Sequence, residues 1–440
     1  MSEPTTPQSV DEISFFDPAT NDCPYHAYER LREDAPIWQD PVTGMFVMTR
    51  FADIKKVLVD VEVFTNAVGS AAGMTEKALK PTDPEELAKH EQMLEEEKIL
   101  AQMYVDKGWT PTATLDAYDE PQHMELRRLF DKAFRPGRIK QLDPFVEELT
   151  NDLFDAFVGA GHCEWVEALA IPLPLYVIGK QMGVPAADMP QIKKWTDAWI
   201  QRMGLQQSFE ERVWSAEQEI EAQHYFQPIF ERLRVTPEDT LLSDLVNTEI
   251  PEWGRPLNDN ELHSEMMADL FVGGSETTTN ALSGGMRMLC EQPDVWAQLK
   301  SDPEKYIPVF IEEVLRLEGP VQGLLRELSQ DVEMHGVHMP AGSIVNLRFA
   351  SANRDGDEFV DPEKLDLERE RPKAHLGYGF GSHFCLGAPL ARRELYWGFK
   401  ILTERIDEVR FAEGKNDFSY HPNYFLRALK ELHIEFTLAS

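Results

Sequence analysis

Between His375 and Pro389 the chain reads His-Leu-Gly-Tyr-Gly-Phe-Gly-Ser-His-Phe-Cys-Leu-Gly-Ala-Pro. One cysteine, Cys385, stands among glycines at 377, 379, 381 and 387. Glycines permit turns that other residues resist, and they let the backbone approach a flat ligand closely. A helix is expected directly afterwards, opening at Pro389, because proline suits a first helical turn. The free N–H groups and dipole at that helix start favour a thiolate over a thiol. A thiolate so placed is a strong ligand for iron, and it pushes electron density toward O–O cleavage. Cys23, Cys163 and Cys290 have no such neighbours and read as small buried hydrophobes.

Three further constellations stand out. Glu313-Val-Leu-Arg316 puts an acid and a guanidinium on one helix face. By itself such a pair reads as a surface salt bridge. Gly273-Gly274-Ser275-Glu276-Thr277-Thr278-Thr279 sets helix-weakening residues beside an acid and an alcohol, midway along a long helical pattern. The spacing alone admits close helix packing or a proton relay. His123 and Arg127, four residues apart, share one helix face, which by itself means little.

The cysteine segment resembles the ligand loop of the cytochrome P-450 family, whose pattern is Phe-x-x-Gly-x-(Arg/His)-x-Cys-x-Gly. Gly381, His383, Cys385 and Gly387 match it, and Tyr378 replaces the usual phenylalanine. The resemblance implies that Cys385 ligates a haem b iron and that Tyr378 shields the sulfur, its hydroxyl altering hydrogen bonding nearby. It implies that Gly273 and Gly274 make room for dioxygen, while Thr277 and Glu276 serve oxygen activation and proton delivery. His123, Arg127, Arg326 and His383 match positions that bind haem propionates. Glu313 and Arg316 match a buried structural pair. The family's third partner is an arginine, and the matching stretch here is Pro362-Glu-Lys364-Leu365, with a lysine that lacks the bidentate fork. These matches fall in family order from His123 to Gly387.

The elements that must position these residues are mostly helical. A helix is expected from the capping run Asn258-Asp259-Asn260 to about Cys290, where Pro293 stops it. Another runs from about Glu304 to Leu317, ended by Gly319-Pro320. Strands are expected near Phe46–Thr49, Val332–Met334 and Ser343–Leu347. The segment Asn66–Asp119 carries an acidic helical run, Asp83–Met103, and reads either as a partly helical lid or as a solvated insertion. The expected fold is mainly α with a smaller β region: one large domain over residues 1–440, with a long central helix over the haem.

The chain has 440 residues and a formal net charge of −34. That charge argues against nucleic acid and anionic membrane surfaces as partners. The longest apolar stretch, around Ala168–Gly179, is too short to span a bilayer and is broken by Pro172 and Pro174. No CxxC pair occurs, and the N-terminal residues are polar and acidic. A reducing cytoplasm is the expected compartment. The resemblance places the substrate pocket at Trp199, Leu270, Val321, Leu324 and Phe425, a set suited to a lipophilic small molecule. It implies a monooxygenase using O2, with electrons from NAD(P)H through a ferredoxin reductase and a ferredoxin. Arg128, Lys132, Arg135, Arg138, Arg392 and Arg393 are candidates for the docking face. A peroxide-using haem enzyme and a haem sensor are the competing readings; neither would need the Glu276–Thr277 relay.

Overall fold

The helix signals of the sequence are met by local hydrogen bonds in the computed structural model, which describes residues 7, 9–66, 68 and 84–439. Asn258 caps its helix reciprocally. Its side-chain oxygen accepts from Glu261 N at 3.1 Å, and the Glu261 carboxylate accepts from Asn258 N at 2.8 Å. This satisfies two of the donors left free at any helix start. The helix is continuous but not uniform. It is α-helical over Asp259–Glu265, π-helical over Met266–Val272, and α-helical again over Gly273–Glu291. A π turn shifts the register of everything after it and recurs at functional sites. Here it lies immediately before Gly273.

Helices Pro172–Met182, Pro303–Leu317 and Ala388–Arg405 pack around this central helix. Phe271, Leu282, Met286, Phe310 and Phe399 are all buried in the shared core. The rings of Phe310 and Phe399 meet edge to face at 5.0 Å. The Pro303–Leu317 helix starts at Asp302, whose carboxylate accepts from Lys305 N. Pro172 and Pro174 do not break the Ala168–Gly179 stretch. A π-helical turn, Val166–Ala170, runs into a helix whose first turn holds both prolines. First-turn N–H groups have no intrahelical partner, so proline costs nothing there. Among the described residues no helix is long and apolar enough to cross a membrane.

The β part is small. Five short strands pair in the order Ile37–Gln39, Phe46–Met48, Ile344–Leu347, Leu324–Leu328 and Phe64–Thr65. Phe46–Met48 runs parallel to Ile344–Leu347, and the other pairings are antiparallel. The strand at Val332–Met334 pairs with Val337–Met339, and His162–Glu164, His433–Leu438 and Ile406–Phe411 form a third sheet.

The acidic run is a helix, Pro84–Lys107. Leu100 and Tyr104 are buried against Ala216 and Ile220 of helix Phe209–Val235. Tyr104 donates to Glu219 at 2.7 Å, and Arg202 pairs with the same carboxylate at 3.1 Å. Arg212 holds Glu97 at 2.6 Å and also Glu96. The run is therefore docked through apolar and ionic contacts, not a solvated insertion. The flank at 69–83 lies outside the described residues.

Candidate active site

The cysteine loop is built by two tight turns. Gly379 N donates to Leu376 O, and Phe384 N donates to Gly381 O. Gly381 has φ +81°, and a Cβ there would stand 2.6 Å from Leu58 O, so only glycine fits. The loop closes when Cys385 N donates to Tyr378 O at 2.9 Å. Protein surrounds the Cys385 thiol closely, yet the residue presents accessible surface. It therefore opens into a recess rather than onto a convex exterior. Burial raises the thiol above its usual range; the N–H groups of Gly387 and Ala388, then Arg127 and Arg392, pull it back toward thiolate. Helix Ala388–Arg405 supplies those donors, as expected for a helix start. Tyr378 is buried beside the loop, its hydroxyl without a hydrogen-bond partner and its ring under the Arg392 guanidinium at 4.5 Å.

His123, Arg326 and His383 converge from three separate elements. The rings of His123 and His383 stack at 3.8 Å. Burial pushes His383 down to about 3, and His123, Arg326 and Arg127 push the same way. Arg326 is 6% exposed, and burial lowers it to about 10. It is in no salt bridge among the described residues, and its Nε has no partner. His123 Nε2 is likewise buried without a partner. Arg127 is drawn elsewhere: it donates to Ser382 O at 3.1 Å and Phe384 O at 2.7 Å, carbonyls that the turns leave free. Asn66 meets His383 Nε2 at 2.6 Å. Buried donors with no acceptor are costly. A group carrying carboxylates at this edge would satisfy them.

On the central helix, Gly273 is exposed and Thr277 partly so, while Ser275, Glu276, Thr278 and Thr279 are buried. Residues four apart share a face, so this face opens onto a recess. Thr277 Oγ1 donates to Gly273 O at 3.1 Å, which leaves its oxygen free to accept. The two glycines differ. A Cβ at Gly273 would meet only Ala268 O at 3.6 Å, whereas one at Gly274 would crowd Ile178 at 3.0 Å. Gly273 gives space, and Gly274 gives helix packing. Glu276 points the other way. Its Oε1 lies 3.0 Å from Lys193 Nζ, and Lys193 also binds Asp197, whose side chain is 43% exposed. Burial raises the Glu276 carboxyl, and Lys193 opposes that.

Glu313 and Arg316 form a fully buried bidentate pair at 2.7 and 2.9 Å. The third partner is Arg369, at 2.7 Å from Glu313, and not Lys364. Lys364 sends its ammonium to Asp361 at the surface and contributes only its carbonyl, which accepts from Arg316 and Arg369. A guanidinium can reach past the turn and fork between acid and carbonyls, which an ammonium cannot. Spacing to the nearest proline motif pointed five residues too early. The role of the preceding residue, Glu312, was invisible in sequence. It joins His375 at 2.9 Å and Arg392 at 2.7 Å, contacts that hold its carboxyl down at about 2 against burial.

The substrate-pocket set is split among elements. Trp199 is half-buried on helix Met189–Met203, and Leu270 is buried in the π turn. Val321 bridges to Leu426, and Gln322 N donates to Phe425 O at 2.7 Å, which brings Val321 and Phe425 together. Leu324 is the exposed member of the set.

A family model described as cytochrome P450 matches residues 190–405. Cytochrome P450 107B1 of Saccharopolyspora erythraea is 31% identical over 97% of this chain and 98% of its own. The chain belongs to the cytochrome P450 family. A steroid C26-monooxygenase of Mycobacterium tuberculosis is 34% identical over 72% of this chain and 84% of its own. Among solved structures, cytochrome P450 CREJ in complex with (4-ethylphenyl) dihydrogen phosphate superposes with a TM-score of 0.85 and 27% identity. That match covers 98% of this chain and all of the other. This protein is accordingly a haem monooxygenase with the P450 fold, and the haem of its family is held by a cysteine thiolate. The residues fit that group. One accessible cysteine has N–H donors on its sulfur, and partnerless buried donors on Arg326 and His123 face the edge where propionates would lie.

Proposed function

We propose that this P450 hydroxylates a lipophilic small molecule, with Cys385 as the residue that would hold the haem iron through its sulfur and electrons delivered by a ferredoxin and its NAD(P)H-dependent reductase. The observation that carries the reading is the pairing of an accessible, N–H-braced Cys385 with a central helix opened at Gly273 and Thr277. The bound haem supplies oxygen activation and insertion into a C–H bond. Arg326, His123 and His383 would hold its propionates, and Tyr378 would cover the sulfur side.

The chain's own part is proton supply and exclusion of water. Insertion of one oxygen atom and release of the other as water consumes two protons and two electrons. Asp197 reaches solvent, Lys193 Nζ bridges it to Glu276 Oε1, and Thr196 Oγ1 approaches that same oxygen at 3.4 Å. Glu276, raised by burial, would take a proton from this path; because its carboxyl points away from the recess face, delivery to the Thr277 side requires the side chain to swing around the helix. A peroxide-using enzyme or a sensor has no need of such a path, and its presence favours the monooxygenase reading.

Trp199, Leu270, Val321 and Phe425 give the recess apolar walls, which suits a lipophilic substrate. For electron delivery, four of the six candidate docking residues are engaged internally. Arg128 pairs with Glu252, Arg138 with Asp239, Arg392 with Glu312 and Arg393 with Asp143. Lys132 and Arg135 are exposed and in no ion pair among the described residues, so the proposed contact centres on them. We place the protein in a reducing cytoplasm, the compartment its cysteine spacing suggests.

The test is substrate-dependent NADH consumption with ferredoxin and reductase, after compounds have been screened by their shift of the Soret band. Product formed at a rate tied to NADH and dependent on all components supports the reading. Turnover with hydrogen peroxide alone, equal to the full system, rejects it.

A further inference from the structure

The buried arginines of this protein nearly all face carboxylates. Arg316 has Glu313, Arg212 has Glu96 and Glu97, Arg354 has Glu363 and Glu318, and Arg427 has Glu318. Arg326 is one exception, and the haem carboxylates account for it. Arg348 is the other. It is 1% exposed, and it is in no salt bridge among the described residues. Nη1 donates to Tyr424 O at 2.8 Å; the Tyr28 and Tyr424 hydroxyls lie close to the guanidinium, but Nε and Nη2 make no hydrogen bond of good geometry. The guanidinium is clamped between the rings of Phe15 and Tyr424, each 4.3 Å from its centre. The clamp holds the cation in place without neutralising it.

The surroundings are rich in donors. Arg348 lines a cavity of about 20 Å³ with Phe15, Tyr28, Gln322, Asn423, Tyr424 and Arg427 among its walls. The nearby Asn346 is fully buried, and neither its amide nitrogen nor its amide oxygen has a partner. The Tyr28 hydroxyl, beside the guanidinium, is satisfied by Gln322 at 3.1 Å. Asp40 is the nearby carboxylate, but its oxygens already accept from Val42 N and Thr43 Oγ1, both at 2.9 Å, and only the Tyr424 hydroxyl reaches it from this side, at 3.5 Å. A space of this size admits a water or a monatomic ion and no organic acid. A buried cation with free donors favours the ion.

We propose that Arg348 is the base of a buried halide site, occupied by chloride, that braces the turn Asn423–Leu426. The brace has a structural consequence. Nη1 holds the carbonyl of Tyr424, whose neighbour Phe425 is one wall of the proposed substrate recess. Asn423 fixes the same turn by accepting from Phe425 N and Leu426 N at 2.9 and 3.0 Å. The proposal does not depend on which substrate binds or on the ligation by Cys385.

The test compares thermal unfolding of the haem-loaded protein in sodium chloride and in sodium gluconate at one constant ionic strength. A ligand that binds only the folded form stabilises it by an amount that grows as the logarithm of one plus the ratio of its free concentration to its Kd. The expected result is a Tm that rises by a few degrees as chloride replaces gluconate, with the onset and curvature of binding to one site. In Arg348→Met the chloride dependence should be lost. Crystals grown with bromide should show one anomalous peak within hydrogen-bonding reach of the guanidinium, a readout that survives if the variant fails to fold. Equal Tm in both salts, a response that persists in Arg348→Met, or density at Arg348 without bromide signal would overturn the proposal in favour of water.

Discussion

At the residue scale, the proposed roles make separable demands. Thr277→Ala should keep haem and substrate binding but lower the product formed per NADH consumed by several-fold, because the hydroxyl that accepts on the open face is gone. Unchanged coupling would remove Thr277 from oxygen activation. Glu394 makes a different demand, and no sequence motif pointed to it. It is fully buried on the helix that follows Cys385, and neither of its oxygens has a hydrogen-bond partner. Burial lifts its carboxyl to about 8. The folded form thus keeps this proton to higher pH than the unfolded chain does. Its contribution to stability is full below the ordinary carboxylate range and is lost as pH rises toward 8. Glu394→Gln should therefore lose less stability than the parent between pH 5 and 8, measured by denaturant midpoints. Glu312, held down at about 2, works in the opposite sense. Its contribution is full above the ordinary range and disappears as pH falls toward 2. Parallel curves for Glu394→Gln and the parent would mean that water or relaxation already solvates the group.

At the scale of elements, the buried Glu313–Arg316–Arg369 cluster ties helix Pro303–Leu317 to the meander before the cysteine loop. Arg316 reaches carbonyls of Asn353, Pro362 and Lys364, and Asp366 N donates to Glu313. Removing Glu313 strands two guanidinium groups, at a cost of roughly 3–5 kcal/mol. Glu313→Ala should yield poorly folded, haem-deficient protein. Arg369→Ala should lower the Tm by several degrees, and Lys364→Ala should leave it nearly unchanged. Equal effects at 364 and 369 would refute the corrected assignment. That correction shows what was legible. Helix and strand positions follow from caps, prolines and periodicity, and these were readable at Asn258, Gly319-Pro320 and Pro389. Which arginine closes a cluster depends on how an irregular meander folds back, and no local signal encodes that. The same holds for Lys193 and Glu276, which lie on different helices, and for the π turn before Gly273. The helix Pro84–Lys107 was visible as an acidic run, but its docking through Leu100 and Tyr104 was not, because its partners lie far along the chain.

At the scale of the whole molecule, a net charge of −34 would repel an acidic ferredoxin unless a local patch prevails. With Lys132 and Arg135 as that patch, haem reduction by ferredoxin should slow as salt rises, and Arg135→Glu should slow it further and flatten the dependence. Acceleration with salt would show that net repulsion governs. The family resemblance was readable from His123 to Gly387 because each motif answers to one local need of the haem. The substrate was not readable, since the proposed recess walls, Trp199, Leu270, Val321 and Phe425, come from four separate segments. The proposed function rests finally on one bond, that of the Cys385 sulfur to the haem iron. The measurement that tests it is the absorption spectrum of the reduced carbon monoxide complex, for the parent and for Cys385→Ser. Thiolate ligation predicts a band well to the red of a histidine-ligated haem in the parent, absent in the variant together with monooxygenase activity. A variant that keeps both the band and the activity would contradict the account.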